Sequence, residues 1–229
     1  MGTALSDLTS SLARVRDIAD ENDRNIATIL SDAGARNRYE TIRCASTVIL
    51  SGFFESFLKQ AADESIASLC ALNRPFSSLP DKIKCSHYEI GGQILSRRAQ
   101  DDRSKRASRI QATTENIALR LASVASTPYD LLWEAFAETY ANPNSETVSQ
   151  YLKRFGITKP WEKVASRTGT SAGALQTQLD SFLLVRHECA HTGTARSVPT
   201  PSEIREYCDL LERIANAILE VLDDHVSSL

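Results

Sequence analysis

The sequence predicts an all-α protein, a helical bundle of long antiparallel helices with extra short helices in the middle. Three observations lead to this prediction. Apolar residues recur at three- and four-residue steps along most of the chain. Glycine and proline are scarce, with nine and seven among 229 residues. No segment shows the alternation of apolar and polar residues that indicates a half-buried β-strand.

Two long helices are predicted first. The first covers residues 5–30 and ends at Ala33-Gly34, and its apolar stripe is Leu5, Leu8, Leu12, Val15, Ile18, Ala19, Ile26, Ile29 and Leu30. The second covers residues 39–72, and its inner face carries Ile42, Ala45, Ile49, Phe53, Phe57 and Ala61. Pro75 ends it, because proline disfavours helix in the residue before it.

The middle of the chain is more polar. A loop is predicted over residues 76–88 and a helical stretch over residues 90–124, followed by short helices punctuated by Pro128, Pro143, Gly156 and Pro160. The sequence therefore predicts one domain over residues 1–229, with a core of about 1–72 and 160–225 and an insert of about 73–159.

Two further helices close the chain. The first covers residues 172–191, with Ser171 as its N-cap and Gly193 after its end. The second begins with Ser202 as its cap, and its inward residues are Ile204, Tyr207, Cys208, Leu211, Ala215, Ile218 and Leu222.

Composition excludes several classes of protein. No apolar run approaches the roughly 18 residues of a membrane span, and the N-terminus has no apolar signal segment, so no membrane partner is expected. Five cysteines without a CxxC pair indicate a reduced, cytoplasmic protein without a cysteine zinc site. At a net charge of -3, contact with nucleic acid would need a local basic patch.

Chemically competent residues crowd into the segment from Arg186 to His191. One pattern there is HExxH, in which His187 and His191 would bind zinc and Glu188 would act as general base. A third ligand would have to come from Glu203, Glu206 or Glu212 on the following helix. The other pattern is R-x4-H, formed by Arg186 and His191.

The R-x4-H pattern resembles the signature of HEPN proteins, an all-α superfamily rich in RNA-cleaving toxins and defence proteins. An apolar run, 183–185, precedes Arg186, although His187 stands where asparagine is commonest and Thr192 separates His191 from the glycine. The segment 51–58 is similar to the second helix of the RiboL-PSP branch, in which an aromatic-Glu pair recurs. The resemblance implies a metal-independent endoribonuclease without cofactor, with RNA as partner and a cognate antitoxin or defence-system protein as a further one.

Each residue then has an expected role. His191 would exchange protons and Arg186 would bind phosphate oxygens, because these side chains suit attack by the RNA 2′-hydroxyl. His187 would be a second acid or base, or a phosphate contact, and the resemblance implies that Glu55 orients Arg186. The alternative for Glu55 is a surface ion pair with Lys59, four residues on. The cysteines, Cys189 included, are interpreted as structural.

A basic stretch is the predicted contact for the RNA backbone: Arg97, Arg98, Arg103, Lys105, Arg106 and Arg109. It contains no aromatic residue to stack bases, and the alternative is a solvated helix face. A non-catalytic helical module that binds RNA or a partner remains an alternative for the whole chain.

Assembly follows from helix geometry. Five residues at about 100° each place Arg186 and His191 about 140° apart around a helix, so one chain presents them poorly to one phosphate. A two-fold contact brings each motif against its own copy. We therefore predict a homodimer with a composite active site.

Overall fold

The computed structural model describes residues 2–105, 108–125, 128–139, 142–192 and 198–229, with the side chains of 101–105, 108–112, 125 and 192 outside that description. The described residues form helices and connecting turns without a β-strand. The all-α prediction is therefore confirmed. None of the described helices combines the length and apolarity needed to cross a membrane.

The long helices frame the molecule. They are α1 (Thr3–Arg24), a short α2 (Ile26–Ser31) and α3 (Ala33–Ala71), and later α10 (Ala172–Thr192) and α11 (Pro201–Ser228). Shorter helices lie between them: α4 (Asp81–Cys85), α5 (Gly91–Lys105), α6 (Ser108–Ala122), α7 (Glu134–Ala137), α8 (Ser145–Arg154) and α9 (Pro160–Thr168). Single 3₁₀ turns cover Phe76–Ser78 and Ser123–Ala125, and a π-helical turn covers Ser86–Ile90.

The core lies among α1, α3 and α11, which pack against one another, while α10 packs on α3 and α9. The predicted inner face of α11 is correct: Ile204, Cys208, Leu211, Ala215, Ile218 and Leu222 are fully buried, and Tyr207 is half-buried. Residues of the middle segment, Phe136, Tyr151 and Leu152 among them, belong to the same apolar cluster. The short helices are therefore anchored in the main core.

The N-terminal boundaries differ from the prediction. The first helix breaks at Asn25, whose side-chain amide donates a hydrogen bond to the Glu21 carbonyl oxygen at 2.8 Å. Ala33-Gly34 does not end a helix, because the Asp32 carboxylate accepts hydrogen bonds from the N–H groups of Gly34 and Ala35 and so caps α3. Gly34 therefore lies in the first turn of α3 and not after the end of a helix.

The predicted inner face of the second long helix is wrong over its first half. Ile42 and Ile49 are 40% and 48% exposed, while Cys44 and Leu50 are buried. In this half of α3 the buried positions lie one to two residues after the predicted ones, so the inner face is rotated around the helix axis. From Phe57 onward the predicted inner face is correct.

The predicted loop over residues 76–88 is also wrong. Helix α3 ends at Ala71, before Pro75, as predicted, but Pro75 and Pro80 each also precede a helical turn. The turns are held by burial, since the Phe76 ring contacts those of His87 and Tyr129 with centroids 5.9 and 5.7 Å away.

One of the two predicted caps is correct. Ser171 caps α10, because its hydroxyl oxygen accepts a hydrogen bond from the Ala174 N–H at 3.3 Å. The cap of α11 is Thr200 rather than Ser202: Thr200 and Glu203 form a capping box around Pro201 in the first turn.

Candidate active site

Helix α10 carries the motif on its last two turns. Leu179 and Phe182 are fully buried and fix the rotation of the helix, which leaves Arg186 half-buried and both His187 and His191 exposed. The histidines are four residues apart, so they lie one above the other. Their ring centroids are 4.3 Å apart, with an angle of 54° between the ring planes.

Arg186 has one buried polar atom without a partner. Its Nε is buried and has no hydrogen-bond partner among the described residues. A buried N–H that loses water without gaining an acceptor is unfavourable. The Nε–H is therefore available to an acceptor, such as an anion, that the described part of the chain does not supply.

Arg186 and His187 line a cleft of about 490 Å³ between α10 and the start of α8. The opposite wall contains Asn142, Asn144, Ser145 and Glu146. Asn144 caps α8 by accepting the Thr147 N–H at 2.8 Å, and Trp161 Nε1–H donates to the Ser145 carbonyl oxygen at 2.9 Å. Local capping and a buried indole therefore hold the wall in place.

Glu55 is hydrogen-bonded to two other side chains. Its Oε1 accepts hydrogen bonds from Lys59 Nζ at 2.7 Å and from Thr139 Oγ1 at 3.0 Å. The role of orienting Arg186, which the resemblance implies for Glu55, stays a prediction. The ion pair with Lys59, the alternative from sequence, is present.

The basic stretch is described only at its beginning. Arg97 and Arg98 border a second cleft of about 440 Å³, together with Lys59 and the half-buried Trp133. Arg97 forms an ion pair with Glu138 at 2.8 Å. The side chains of Arg103, Lys105 and Arg109, and Arg106 as a whole, lie outside the described residues.

Trp133 is a residue that the sequence analysis missed. It supplies an aromatic ring beside two arginines whose own stretch has none. No local sequence pattern indicates that Trp133 lies beside these arginines, because it is more than thirty residues further along the chain.

Arg43 was missed as well. Its Nε is buried without a hydrogen-bond partner among the described residues, as is that of Arg186. Arg43 precedes Cys44, which hydrogen-bonds Cys189 within the motif segment. Nothing in the sequence around Arg43 indicates that its turn of α3 lies against α10.

Cys189 is buried at 4% exposure. Burial raises the pKa of its thiol to about 12, and the hydrogen bond with Cys44 acts in the same direction. A thiol that stays protonated at neutral pH is a poor nucleophile, which supports a structural role.

The HExxH pattern lacks a third ligand in the described part of the chain, where no three His, Cys, Asp or Glu side chains converge as a metal site. The glutamates considered for that position have other partners. Glu203 belongs to the capping box, Glu206 accepts from Ser202, and Glu212 pairs with Arg16.

Comparison with known proteins places the chain in a family. The model of the family described as RiboL-PSP-HEPN matches residues 9–224, which is nearly the whole chain. No curated protein and no solved structure matches it significantly. The match agrees with the resemblance carried by the segments 51–58 and 183–191, and the chain belongs to the RiboL-PSP-HEPN family.

Proposed function

We propose that this protein is a metal-independent endoribonuclease that cleaves RNA through attack of the 2′-hydroxyl. Family membership points to a nuclease-like or RNA-related role. The observation that supports the specific proposal best is Arg186, a half-buried arginine whose Nε has no partner in the described residues and which borders an open cleft. A phosphodiester is an anion that fits this environment.

The chemistry needs only groups of the protein and the substrate. His191 as general base takes the proton of the 2′-hydroxyl, and the oxygen attacks the adjacent phosphorus. Arg186 donates hydrogen bonds to the phosphoryl oxygens as negative charge develops on them. The bond to the 5′-oxygen breaks, a protonated histidine such as His187 supplies a proton to that oxygen, and the products are a 2′,3′-cyclic phosphate and a 5′-hydroxyl.

The active unit in this proposal is a homodimer. Arg186 borders the cleft, whereas His191 lies about 140° away around an ideal helix. We expect the interface to include Leu184 in α10 and Ile49 in α3, apolar side chains that are 63% and 48% exposed. An interface of at least ~1,000 Å² is expected for such a dimer.

RNA contact by Arg97 and Arg98 is part of the proposal, supported by Trp133 in the same cleft. Stacking of a base on an aromatic ring together with nearby cations is a common way to hold single-stranded RNA. Biologically, we assign the protein a role as a toxin or antiphage effector in the cytoplasm, with a cognate antitoxin or defence-system protein as partner.

The decisive experiment is incubation of the purified protein with cellular RNA in EDTA, with end-group analysis of the fragments. We expect cleavage with 2′,3′-cyclic phosphate ends, and we expect none from His191→Ala. Arg14→Ala, an exposed position on α1, is the control and should cleave like the wild type.

Three results would contradict the proposal. Fragments with 3′-hydroxyl ends would exclude the internal nucleophile. Stoichiometric zinc that is lost in His187→Ala would favour the hydrolase based on HExxH. RNA binding without turnover, unchanged in His191→Ala, would indicate a non-catalytic module.

A further inference from the structure

A third cleft, of about 470 Å³, lies away from the motif, between α4, the π-helical turn and the end of α8. Three lysines border it: Lys82, Lys153 and Lys159. Each is exposed, and none of their ammonium groups forms an ion pair or hydrogen bond with the described residues. We call this site the lysine cleft.

Positive charges outnumber negative charges at the border of the lysine cleft. Arg154 is the fourth cation at its border, and Glu89 is the one carboxylate among the lining residues. The Arg154 guanidinium donates hydrogen bonds to the backbone carbonyl oxygens of Phe136 and Glu138. A chain with a net charge of -3 thus carries a local positive surface, which attracts polyanions.

The backbone at the lysine cleft adopts a left-handed conformation at two positions. Gly156 adopts φ +88°, and a Cβ at that position would lie 3.9 Å from the Lys82 Cβ. Lys159 has φ 50° and ψ 56°, a left-handed conformation that is unusual for lysine and more so directly before proline. Burial of the neighbouring Ile157 and Trp161 maintains this strained conformation.

Helix α8 connects the lysine cleft with the cleft at Arg186. Its exposed face carries Glu146, which borders the Arg186 cleft, and Gln150 and Lys153, which border the lysine cleft. Gln150 Nε2 donates a hydrogen bond to Glu146 Oε1 at 2.5 Å. Seven residues of helix rise about 10 Å, which corresponds to about three stacked nucleotides of one strand.

We propose that the lysine cleft binds the phosphodiester backbone of the RNA strand that also contacts Arg186, a few nucleotides away. This inference rests on the proposed ribonuclease function and adds a second contact with the same substrate. Lysine is a compact point charge on a flexible stem, so it binds phosphate without reading base sequence. The site sets affinity and strand position rather than sequence preference.

The first test measures binding of a 2′-O-methyl oligoribonucleotide, which lacks the 2′-hydroxyl and is not cleaved by the proposed mechanism. The variant combines Lys82→Gln, Lys153→Gln and Lys159→Asn, since asparagine tolerates the left-handed conformation. We expect about tenfold weaker binding at low salt and a slope of log K against log salt that is shallower by about 2.

The control variant combines Arg14→Gln, Arg24→Gln and Arg74→Gln. These exposed arginines do not border the lysine cleft, and their replacement removes the same amount of charge. We expect the control to keep most of the affinity and the salt slope. Far-UV circular dichroism and thermal unfolding should be unchanged in both variants.

The second test uses Cys85, an exposed cysteine at the border of the lysine cleft. Bound 2′-O-methyl RNA should slow alkylation of Cys85 by iodoacetamide, as measured by mass spectrometry of its peptide. The lysine variant should lose this protection, whereas the arginine control should retain it.

The outcomes separate the two proposals. Unchanged binding and unchanged Cys85 protection in the lysine variant, with RNA cleavage intact, would overturn the lysine cleft and leave the ribonuclease. Lysine-dependent binding without cleavage of unmodified RNA by the wild type would overturn the ribonuclease and leave the cleft. A wild type that binds no RNA would overturn both.

Discussion

Asp180 in α10 holds the first residue of α8, Ser145, with both carboxylate oxygens. Its Oδ1 accepts the Ser145 N–H at 2.8 Å, and its Oδ2 accepts the Ser145 hydroxyl at 2.6 Å. A carboxylate at a helix N-terminus is also favoured by the helix dipole. Asp180 lies six residues before Arg186. Its hydrogen bonds to Ser145 therefore connect the wall of the cleft with the helix that carries the motif.

Asp180→Ala should therefore affect activity more than stability. We expect the free energy of unfolding to fall by about 1 kcal/mol, because the pair is solvent-exposed. RNA cleavage should fall at least about tenfold, since the wall opposite Arg186 moves. Urea unfolding and initial cleavage rates measure the two effects. Asp63→Ala, an exposed acid on α3, is the control, and equal loss of cleavage there would contradict the role of Asp180.

Arg186→Met should separate function from stability. The methionine keeps most of the apolar packing and removes a buried Nε–H without a described acceptor, so the melting temperature should stay the same or rise. Cleavage should fall about 10²- to 10³-fold, because a donor to the developing phosphoryl charge is lost. Arg186→Lys should recover little of the rate, because an ammonium cannot contact two oxygens in the same plane. A lysine variant with full activity would contradict this arrangement.

Mixed dimers test the composite site. Arg186→Ala and His191→Ala should each be inactive as homodimers. When the two variants are refolded together at equal concentration, half of the molecules become mixed dimers with one intact pair each, so about a quarter of wild-type activity should return. No recovery, together with a fully active monomer at high dilution, would show that each chain works alone.

His87 should make the stability of the fold depend on pH. It is fully buried, and burial lowers the pKa of its imidazole to about 4, with Arg120 acting in the same direction. The unfolded chain takes up the proton near pH 6.5 while the folded chain does not, so stability is complete above pH 6.5 and decreases towards pH 4. We expect a loss of about 2 kcal/mol between pH 7.5 and pH 5 from this residue.

His87→Asn checks that assignment. The asparagine oxygen can replace His87 Nδ1, which accepts the Leu132 N–H at 3.2 Å. Urea unfolding at both pH values should show a lower stability at pH 7.5 and a smaller pH dependence than in the wild type. His225, whose pKa is also lowered by burial, is present in both proteins and cancels in the comparison. An unchanged pH dependence would contradict the role of His87.

Cys189→Ala should retain ribonuclease activity, because the thiol is protonated at neutral pH and is not the nucleophile. The free energy of unfolding should fall by about 1 kcal/mol through the small cavity. Cys208→Ala, at a buried cysteine in α11, is the matched control and should behave alike. Loss of cleavage in Cys189→Ala alone, without unfolding, would restore a chemical role for this cysteine.

The sequence predicts the fold wherever local chemistry decides the structure. The apolar period places the inner face of α11 correctly, and Ser171 caps α10 as its residue type favours. The errors arise where two local signals compete. Asp32 caps a helix next to Gly34, a residue type that usually follows a helix, and Thr200 rather than Ser202 has the spacing of a capping box with Glu203.

Only those features of the candidate site that lie within a single helix can be predicted from the sequence. The histidine pair follows from a spacing of four residues, and so does the ion pair of Glu55 with Lys59. The wall at Ser145 and the ring of Trp133 come from distant parts of the chain, where packing decides their position. The periodicity of apolar residues along the sequence does not indicate which distant segments pack together.

Helix α3 contains 39 residues, so it is about 58 Å long, nearly twice the diameter of a small domain. Within residues 33–43 Ala35 is the one buried position, whereas from Cys44 onward a buried residue occurs on almost every turn. Helices in proteins owe most of their stability to packing. The first part of α3 should therefore open locally at a lower free-energy cost than the part that begins at Cys44. Amide hydrogens of its first three turns should exchange with solvent far faster than those that follow. The boundary lies at Cys44, beside the motif of α10, so a second chain that covers the first turns would extend slow exchange to the start of the helix.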